Sequence, residues 1–195
     1  TMRAIGLAAA GGHIDCLQHA LQSEFEDMAQ VDFEVYIGAV ANGQLECVKL
    51  LDQQPQLSLA KYLQILETRW GYINLPSIAA KNGQLECLKY LHKKGCELRG
   101  CLQPAVLGGD MACLQYVVRK CGRNFGGDIS KACNVAARLG HIECLKYLHA
   151  HRFPLYRDAC VSAAKVGSVD CLYYAHQNYI TPLGRHEFGH ATSDK

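Results

Sequence analysis

The sequence has 195 residues, of which 49% are hydrophobic, so the chain is long enough to bury a sizeable core. Its 20 basic and 18 acidic residues leave a formal net charge of +2, which gives no general attraction to nucleic acid or to an anionic membrane surface. The sequence contains no apolar run near 18 residues, so we expect no insertion into a membrane.

A short motif recurs six times along the chain, and each copy has a glycine followed four residues later by a cysteine. The two closest copies are the decapeptides that begin at Gly83 and Gly140, and they share the run Glu-Cys-Leu-Lys-Tyr-Leu-His. The motif cysteines are spaced by 31, 40, 26, 31 and 27 residues, a period that indicates a repeated pair of short helices. They are Cys16, Cys47, Cys87, Cys113, Cys144 and Cys171.

Each copy predicts a helix, a stop and a second helix. Two small apolar residues stand four and three positions before every motif glycine, and small side chains there let a first helix lie close to its neighbours. The glycine suits the left-handed conformation in which many helices end. After it, Leu85, Leu88 and Leu91 recur at helical spacing beside Cys87, which predicts one buried stripe on the second helix.

The longest step, between Cys47 and Cys87, predicts an insertion at about residues 54–75. Apolar residues fall at helical spacing inside this insertion, so we expect either a long first helix or an extra helix. It contains Trp70, the one tryptophan of the chain. Two interpretations stay open for Trp70, since it could pack on the array or anchor a protein partner.

Eleven cysteines would suggest disulfide bonds in a small secreted protein, but six of these occupy one repeated position on a predicted buried face. There we expect them to act as small hydrophobic side chains. The expected location is therefore a reducing intracellular compartment, which is the cytoplasm, the nucleus or an organelle matrix. Cys96 and Cys101 have no second close pair to complete four zinc ligands, so we predict no metal site there.

The small pair, two variable residues, glycine, an aliphatic residue, an acid and Leu-Lys-Tyr-Leu together resemble the ankyrin repeat. The Glu-Cys-Leu-Lys-Tyr-Leu-His version is similar to the compact, cysteine-bearing ankyrin arrays common in protists and giant viruses. The Thr-Pro-Leu-His opening of typical ankyrin helices is absent from these copies, and steps of 26 and 27 residues are shorter than the usual period of about 33. The resemblance implies an all-α, ankyrin-type solenoid of about six helix-turn-helix repeats in a single domain, residues 1–180, with hairpin fingers reduced or absent.

The resemblance also implies where a partner binds, because in ankyrin arrays the two variable residues before the glycine point toward the concave face. The candidate residues form a basic and apolar stripe, which is either ordinary solvated surface or the site of a partner that presents acidic and apolar residues. The candidate partner-binding residues are Lys81, Asn82, Leu107, Arg138, Leu139 and Lys165.

Residues 181–195 follow the last full copy, and their Thr-Pro-Leu-Gly start predicts a degenerate capping repeat or a tail. Within this segment His186, Glu187 and His190 fit the pattern His-Glu-x-x-His, which places two zinc-binding imidazoles one helical turn apart with the glutamate as general base. The pattern resembles that of matrixin-type metalloproteases, but their third ligand is missing. A zinc-dependent hydrolase is therefore the alternative function, and adventitious metal binding is a further interpretation.

The repeats predict a non-catalytic scaffold that binds a protein partner, as an adaptor or as a structural subunit of a large assembly. We expect no catalytic residue, cofactor or small-molecule substrate, because no catalytic constellation stands out from the repeated positions. Nor do we expect a nucleic acid as partner, given the near-neutral charge.

Overall fold

The structure, a computed structural model, describes residues 2–24, 34–68, 74–122, 125 and 129–179. Within these ranges it contains thirteen α-helices, one 3₁₀ turn at Ile129–Lys131 and no β-strand. The helices are α1 (Met2–Gly11), α2 (Ile14–Glu24), α3 (Val35–Ala41), α4 (Leu45–Asp52), α5 (Leu59–Thr68), α6 (Leu75–Lys81), α7 (Leu85–Lys93), α8 (Leu102–Gly108), α9 (Met111–Cys121), α10 (Ala132–Leu139), α11 (Ile142–Ala150), α12 (Arg157–Val166) and α13 (Val169–Asn178).

Twelve of these helices form six pairs, which we call units 1 to 6, and a motif glycine separates the two helices of each unit. The first helices are α1, α3, α6, α8, α10 and α12, and each of the first five packs on the first helix of the next unit. The second helices are α2, α4, α7, α9, α11 and α13, and they form a parallel row behind the first. The buried core lies between the two rows, so the array is the two-row helical solenoid that the sequence predicts.

Helix α5 is the insertion, and it belongs to neither row. Because α3 packs directly on α6, the insertion does not separate units 2 and 3. It is anchored by the buried side chains of Leu57, Leu59 and Tyr62, and the buried hydroxyl of Tyr36 donates to the Leu57 carbonyl oxygen at 2.8 Å. Of the two forms that the sequence leaves open, the structure shows an extra helix.

Every first helix ends in the same way. The six motif glycines have φ between 70° and 73°, a left-handed conformation that costs other residues energy. In units 1, 2, 3, 5 and 6 the amide of the residue after the glycine donates back to a carbonyl of the first helix, as Gln84 does to Ala79 at 2.9 Å. The predicted helix stop is therefore confirmed.

The motif glycines of units 1 to 5 lie close to the next unit. A methyl group on Gly109 would lie 2.7 Å from the His141 ring, and one on Gly83 would lie 3.3 Å from the Asp110 side chain. The preceding residue of unit 4, Gly108, faces the backbone carbonyl of Lys81 so closely that any side chain would overlap it. Gly109 thus needs glycine for space as well as for conformation, and Gly108 needs glycine for space.

Five of the six motif cysteines are buried, with at most 1% of their surface exposed, as predicted. Cys16 is exposed, so the prediction is wrong for unit 1. The reason is that a motif cysteine is covered by the unit before it: the Cys144 thiol contacts the Gly109 carbonyl oxygen at 3.7 Å. Unit 1 has no described unit before it.

Hydrogen bonds between side chains join neighbouring helices of the second row. The Nδ1 atom of His92 lies 2.8 Å from the Tyr116 hydroxyl, and the equivalent atoms of His149 and Tyr174 are 2.9 Å apart. In both pairs the rings also meet edge to face. The second row is therefore bonded to itself by a side-chain ladder.

In unit 2 the residue equivalent to His92 and His149 is Asp52. Its side chain connects α4 to α5 and to α7. Its side chain, only 6% exposed, accepts hydrogen bonds from the Tyr90 hydroxyl at 2.7 Å and the Leu59 amide at 2.8 Å, and it pairs with Lys94 at 2.6 Å. Burial alone would raise the pKa of this carboxyl, but these partners together hold its pKa below the usual value.

We predict that Tyr116→Phe and Tyr174→Phe each lower the free energy of unfolding by about 1 kcal/mol, because each leaves a half-buried histidine nitrogen without its partner. Equilibrium unfolding in urea measures the change. Tyr173→Phe is the matched control, since Tyr173 is 67% exposed, and its expected cost is below about 0.5 kcal/mol. Equal costs for all three variants would contradict the ladder.

We predict that Asp52→Asn lowers the free energy of unfolding at pH 7 by about 1–3 kcal/mol. Because the folded pKa of Asp52 lies below the unfolded one, the carboxylate stabilises the fold above about pH 4 and loses this contribution as the pH falls through the folded pKa. The deficit of the variant should therefore shrink between pH 7 and pH 3 in urea unfolding. Glu97→Gln, on an exposed loop, is the control, and a deficit that stays constant with pH would contradict the assignment.

Candidate functional site

The six candidate residues lie at the ends of four consecutive first helices, α6, α8, α10 and α12. We call this set the first-row stripe, and its members are Lys81, Asn82, Leu107, Arg138, Leu139 and Lys165. All six are exposed. Because these helices are stacked in order, the stripe runs along one side of units 3 to 6.

The backbone beneath the stripe is held closely. The contact between Gly108 and the Lys81 carbonyl fixes unit 4 against unit 3, and a hydrogen bond between Asn134 and Ser162 joins units 5 and 6. The stripe therefore belongs to a preformed surface. One member has a local role, since the Asn82 amide donates to the Ile78 carbonyl oxygen of its own helix at 2.9 Å.

Three lysines on second helices form ion pairs, whereas three cations at the ends of first helices do not. Second-row lysines form ion pairs with glutamates one turn earlier, with nitrogen–oxygen distances of 2.6, 2.7 and 3.2 Å. These pairs are Glu46–Lys49, Glu86–Lys89 and Glu143–Lys146. By contrast Lys81, Arg138 and Lys165 form no ion pair with any residue that the structure describes. Lys81, Arg138 and Lys165 thus carry positive charge without an ion pair to a described residue at the ends of first helices, and exposed Lys93, Arg119 and Lys120 do so on second helices.

Exposed apolar side chains stand between these cations. Leu107 and Leu139 are 39% and 40% exposed, although leucine is normally buried in a helical array. Val166 extends the series into unit 6 with 52% exposure. The stripe therefore alternates positive and apolar groups along its length.

Two exposed residues that sequence reasoning missed lie at the opposite ends of the same helices. Ile129 and Tyr156 are 37% and 46% exposed, and each precedes its motif glycine by eleven residues. Their shared distance from the glycine was the available signal. Since α12 spans ten residues, or about 15 Å, a partner that contacts both ends of these helices must cover at least that width.

A groove of about 460 Å³ opens near the second row, and its lining is mostly polar. Two of its polar groups have partners within the protein, because His92 bonds to Tyr116 and the Cys121 thiol bonds to the Leu98 carbonyl oxygen at 3.7 Å. In the described part of the chain, no cluster of three or more His, Cys, Asp or Glu side chains could hold a metal ion.

The buried thiols are packing groups. Burial raises the pKa of Cys87, Cys96, Cys101 and Cys144 to about 11, so these thiols are neutral at physiological pH and are poor nucleophiles. The structure records no disulfide among the eleven cysteines.

Two predictions fall outside the described residues. Trp70 lies in the gap between residues 68 and 74, and His186, Glu187 and His190 follow residue 179. Both the partner-anchoring role of Trp70 and the alternative zinc site stay predictions.

None of the described helices is long enough to cross a bilayer. The longest has 11 residues, whereas a membrane-spanning helix needs about 20.

No protein-family model matches the sequence, and no curated protein sequence matches it either. Among solved structures, the ankyrin repeat domain of human ASB11 is similar, with a TM-score of 0.65 over 93% of this chain and 88% of that one. The two share 14% sequence identity, so the likeness establishes the fold alone. Thirteen short helices in the described ranges and this likeness lead to one conclusion: the chain is an all-α solenoid with the fold of an ankyrin repeat domain.

Proposed function

We propose that the chain is a non-catalytic scaffold that binds a protein partner on the first-row stripe, the side that the ankyrin resemblance makes concave. One observation carries this proposal: three cations without an ion pair to a described residue and the exposed leucines stand together on the same side of units 3 to 6, whereas Lys49, Lys89 and Lys146 of the second row are paired within their own helices. Stacked repeats commonly bind through such an extended face.

The chemistry of the stripe suggests the chemistry of the partner. Lys81, Arg138 and Lys165 favour carboxylates, and Leu107 and Leu139 favour apolar side chains between them. A partner segment with alternating acidic and apolar residues satisfies both. The stripe needs little ordering on binding, because its backbone is already fixed by contacts between units.

The proposal includes two forms, an adaptor that recruits its partner and a structural subunit of a larger assembly. The stoichiometry of the purified complex separates them. The insertion at about residues 54–75 is a second candidate surface for the assembly form, and Trp70, which lies outside the described residues, is its proposed anchor. A protein is favoured over a nucleic acid, since the net charge is only +2.

The cysteines support a reducing intracellular location as part of this proposal. Five motif thiols are enclosed between units, and such thiols persist unpaired where the environment is reducing. The same pattern supports placing the chain with compact, cysteine-bearing ankyrin arrays like those of protists and giant viruses.

The proposal predicts that Lys81→Glu, Arg138→Glu and Lys165→Glu together weaken partner capture. Affinity purification from the native source identifies proteins bound to the wild-type chain, and titration with the purified partner then measures the affinity. We expect the triple variant to bind about 10- to 100-fold more weakly in 0.15 M salt, because three charge contacts become repulsive.

The matched control reverses the charge of three second-row lysines, Lys49, Lys89 and Lys146, which gives the same change in net charge. This control should bind the partner as the wild type does. Equal loss in both variants would show an effect of net charge alone, and full binding by the first-row variant would contradict the proposed site.

A further inference from the structure

The first unit exposes positions that are buried in every other unit. The residue eight positions before the motif glycine is at most 4% exposed in units 2 to 6, whereas its equivalent in unit 1, Ala4, is exposed. The five buried equivalents are Val35, Leu75, Cys101, Ala132 and Ala159. Cys16 differs from the other motif cysteines in the same way. Since unit 1 has no described unit before it, a preceding unit is what buries these two positions elsewhere in the array.

The last unit shows the converse pattern. The residue three positions before the motif glycine has no exposed surface in units 1 to 5, whereas its equivalent in unit 6, Ala164, is exposed. The five buried equivalents are Ala9, Val40, Ala80, Val106 and Ala137. Leu172 is half-buried, although its equivalents in the other units are fully buried. Since unit 6 has no described unit after it, a following unit is what buries these two positions elsewhere.

The two ends are apolar as well as open among the described residues. We call the first surface the head, which consists of Ala4, Leu7, Ile14 and Cys16, and the second the tail, which consists of Val161, Ala164, Val169 and Leu172. Leu7 is 65% exposed and Val169 is 73% exposed. Grouped apolar side chains of this kind are typical of contact surfaces. Head and tail are therefore the two halves of the contact that consecutive units make inside the array.

A detail of the inner contacts shows how the head fits the tail. In each of them the residue after the motif glycine covers the motif glycine of the preceding unit, as the His141 ring covers Gly109. Gly167 is the exception, because nothing lies within 4 Å of a methyl group placed on it. His13 follows the motif glycine of unit 1, is exposed, and is the same residue type as His141. The head thus carries the kind of residue that the tail lacks.

The motif cysteine gives a second point of register. The Cys144 thiol lies 3.7 Å from the Gly109 carbonyl oxygen and 3.6 Å from the Met111 sulfur. Met111 stands two residues after its motif glycine, and Val169 holds the same position in unit 6. Stacking in the inner register therefore places Cys16 of the head beside Val169 of the tail.

The charges at the two ends are compatible with this register. The residue three positions after the motif glycine is an exposed acid at both ends, Asp15 and Asp170. The same position is held by Glu46 and Glu86 in units 2 and 3, which stack directly. These carboxylates remain in water, where their mutual repulsion is screened.

We propose that the head of one copy of this chain stacks on the tail of a second copy, in the register of the inner units. Ala4 and Cys16 of one copy and Ala164 of the other are then buried, and His13 covers Gly167. Because head and tail are different surfaces, each pair keeps one free head and one free tail, so further copies add in line. This contact is separate from that of the protein partner and does not rest on the proposed function.

The test mixes two variants of the full chain, each with one end blocked. Ala4→Arg blocks the head and Ala164→Arg blocks the tail, because each places a guanidinium in an apolar contact. Sedimentation of the wild type from about 10 μM to about 1 mM should show species larger than a dimer, and each variant alone should associate at least about 10-fold more weakly. An equimolar mixture of the variants should form a 1:1 pair and nothing larger, since one intact head and one intact tail remain.

The matched control is Ala150→Arg, because Ala150 is exposed at the end of α11 in the inner unit 5, and it should associate as the wild type does. Val169→Cys gives a covalent readout. Diamide should accept two electrons and two protons from the introduced thiol and Cys16 of another copy, and Cys16→Ser should abolish the intermolecular disulfide, as mass spectrometry of the linked peptides would show.

Two results would overturn the proposal. One is a wild-type chain that stays monomeric over the whole concentration range. The other is an Ala4→Arg chain that still forms dimers as the wild type does, because two tails would then pair with each other.

Discussion

The array depends on the close approach of consecutive units at the end of each first helix. A glycine there ends the helix in a left-handed conformation, and it also leaves room for the next unit. At Gly108 the neighbouring atom is the backbone carbonyl of Lys81, which cannot move aside as a flexible side chain can. Small residues at these positions therefore determine how closely the units stack and how completely the core between them excludes water.

This constraint gives the two rows different roles. The first row is held by backbone contacts, so its side chains at the helix ends are available to solvent and to a partner. The second row is joined by side-chain hydrogen bonds, through the pair His92–Tyr116 and its equivalent His149–Tyr174, and three of its lysines are paired with glutamates. The combination of Lys81, Arg138 and Lys165 without ion pairs to described residues and of exposed leucines beside them is the physical basis for placing the partner on the first row.

The sequence predicts the unit well because helix, glycine stop and buried cysteine are local features repeated six times. It fails where burial depends on a neighbour: Cys16 and Ala164 match their repeats in sequence but are exposed, since each lacks a described unit on one side. The motif also predicts which residues form the stripe, because its glycine marks the end of every first helix. Ile129 and Tyr156 were missed because they lie in connections outside the motif, where residue type varies between repeats.

The most direct test of the close approach between units compares two glycines inside helices, Gly108 and Gly6, by urea unfolding. A methyl group on Gly6 would make only an ordinary contact with Val35 at 3.9 Å, so Gly6→Ala should stabilise the chain by about 0.5–1 kcal/mol. Gly108→Ala should instead destabilise it by about 2 kcal/mol, because the methyl group overlaps the backbone of unit 3. If Gly108→Ala stabilises the chain as Gly6→Ala does, the units are not held by this contact and the account is wrong.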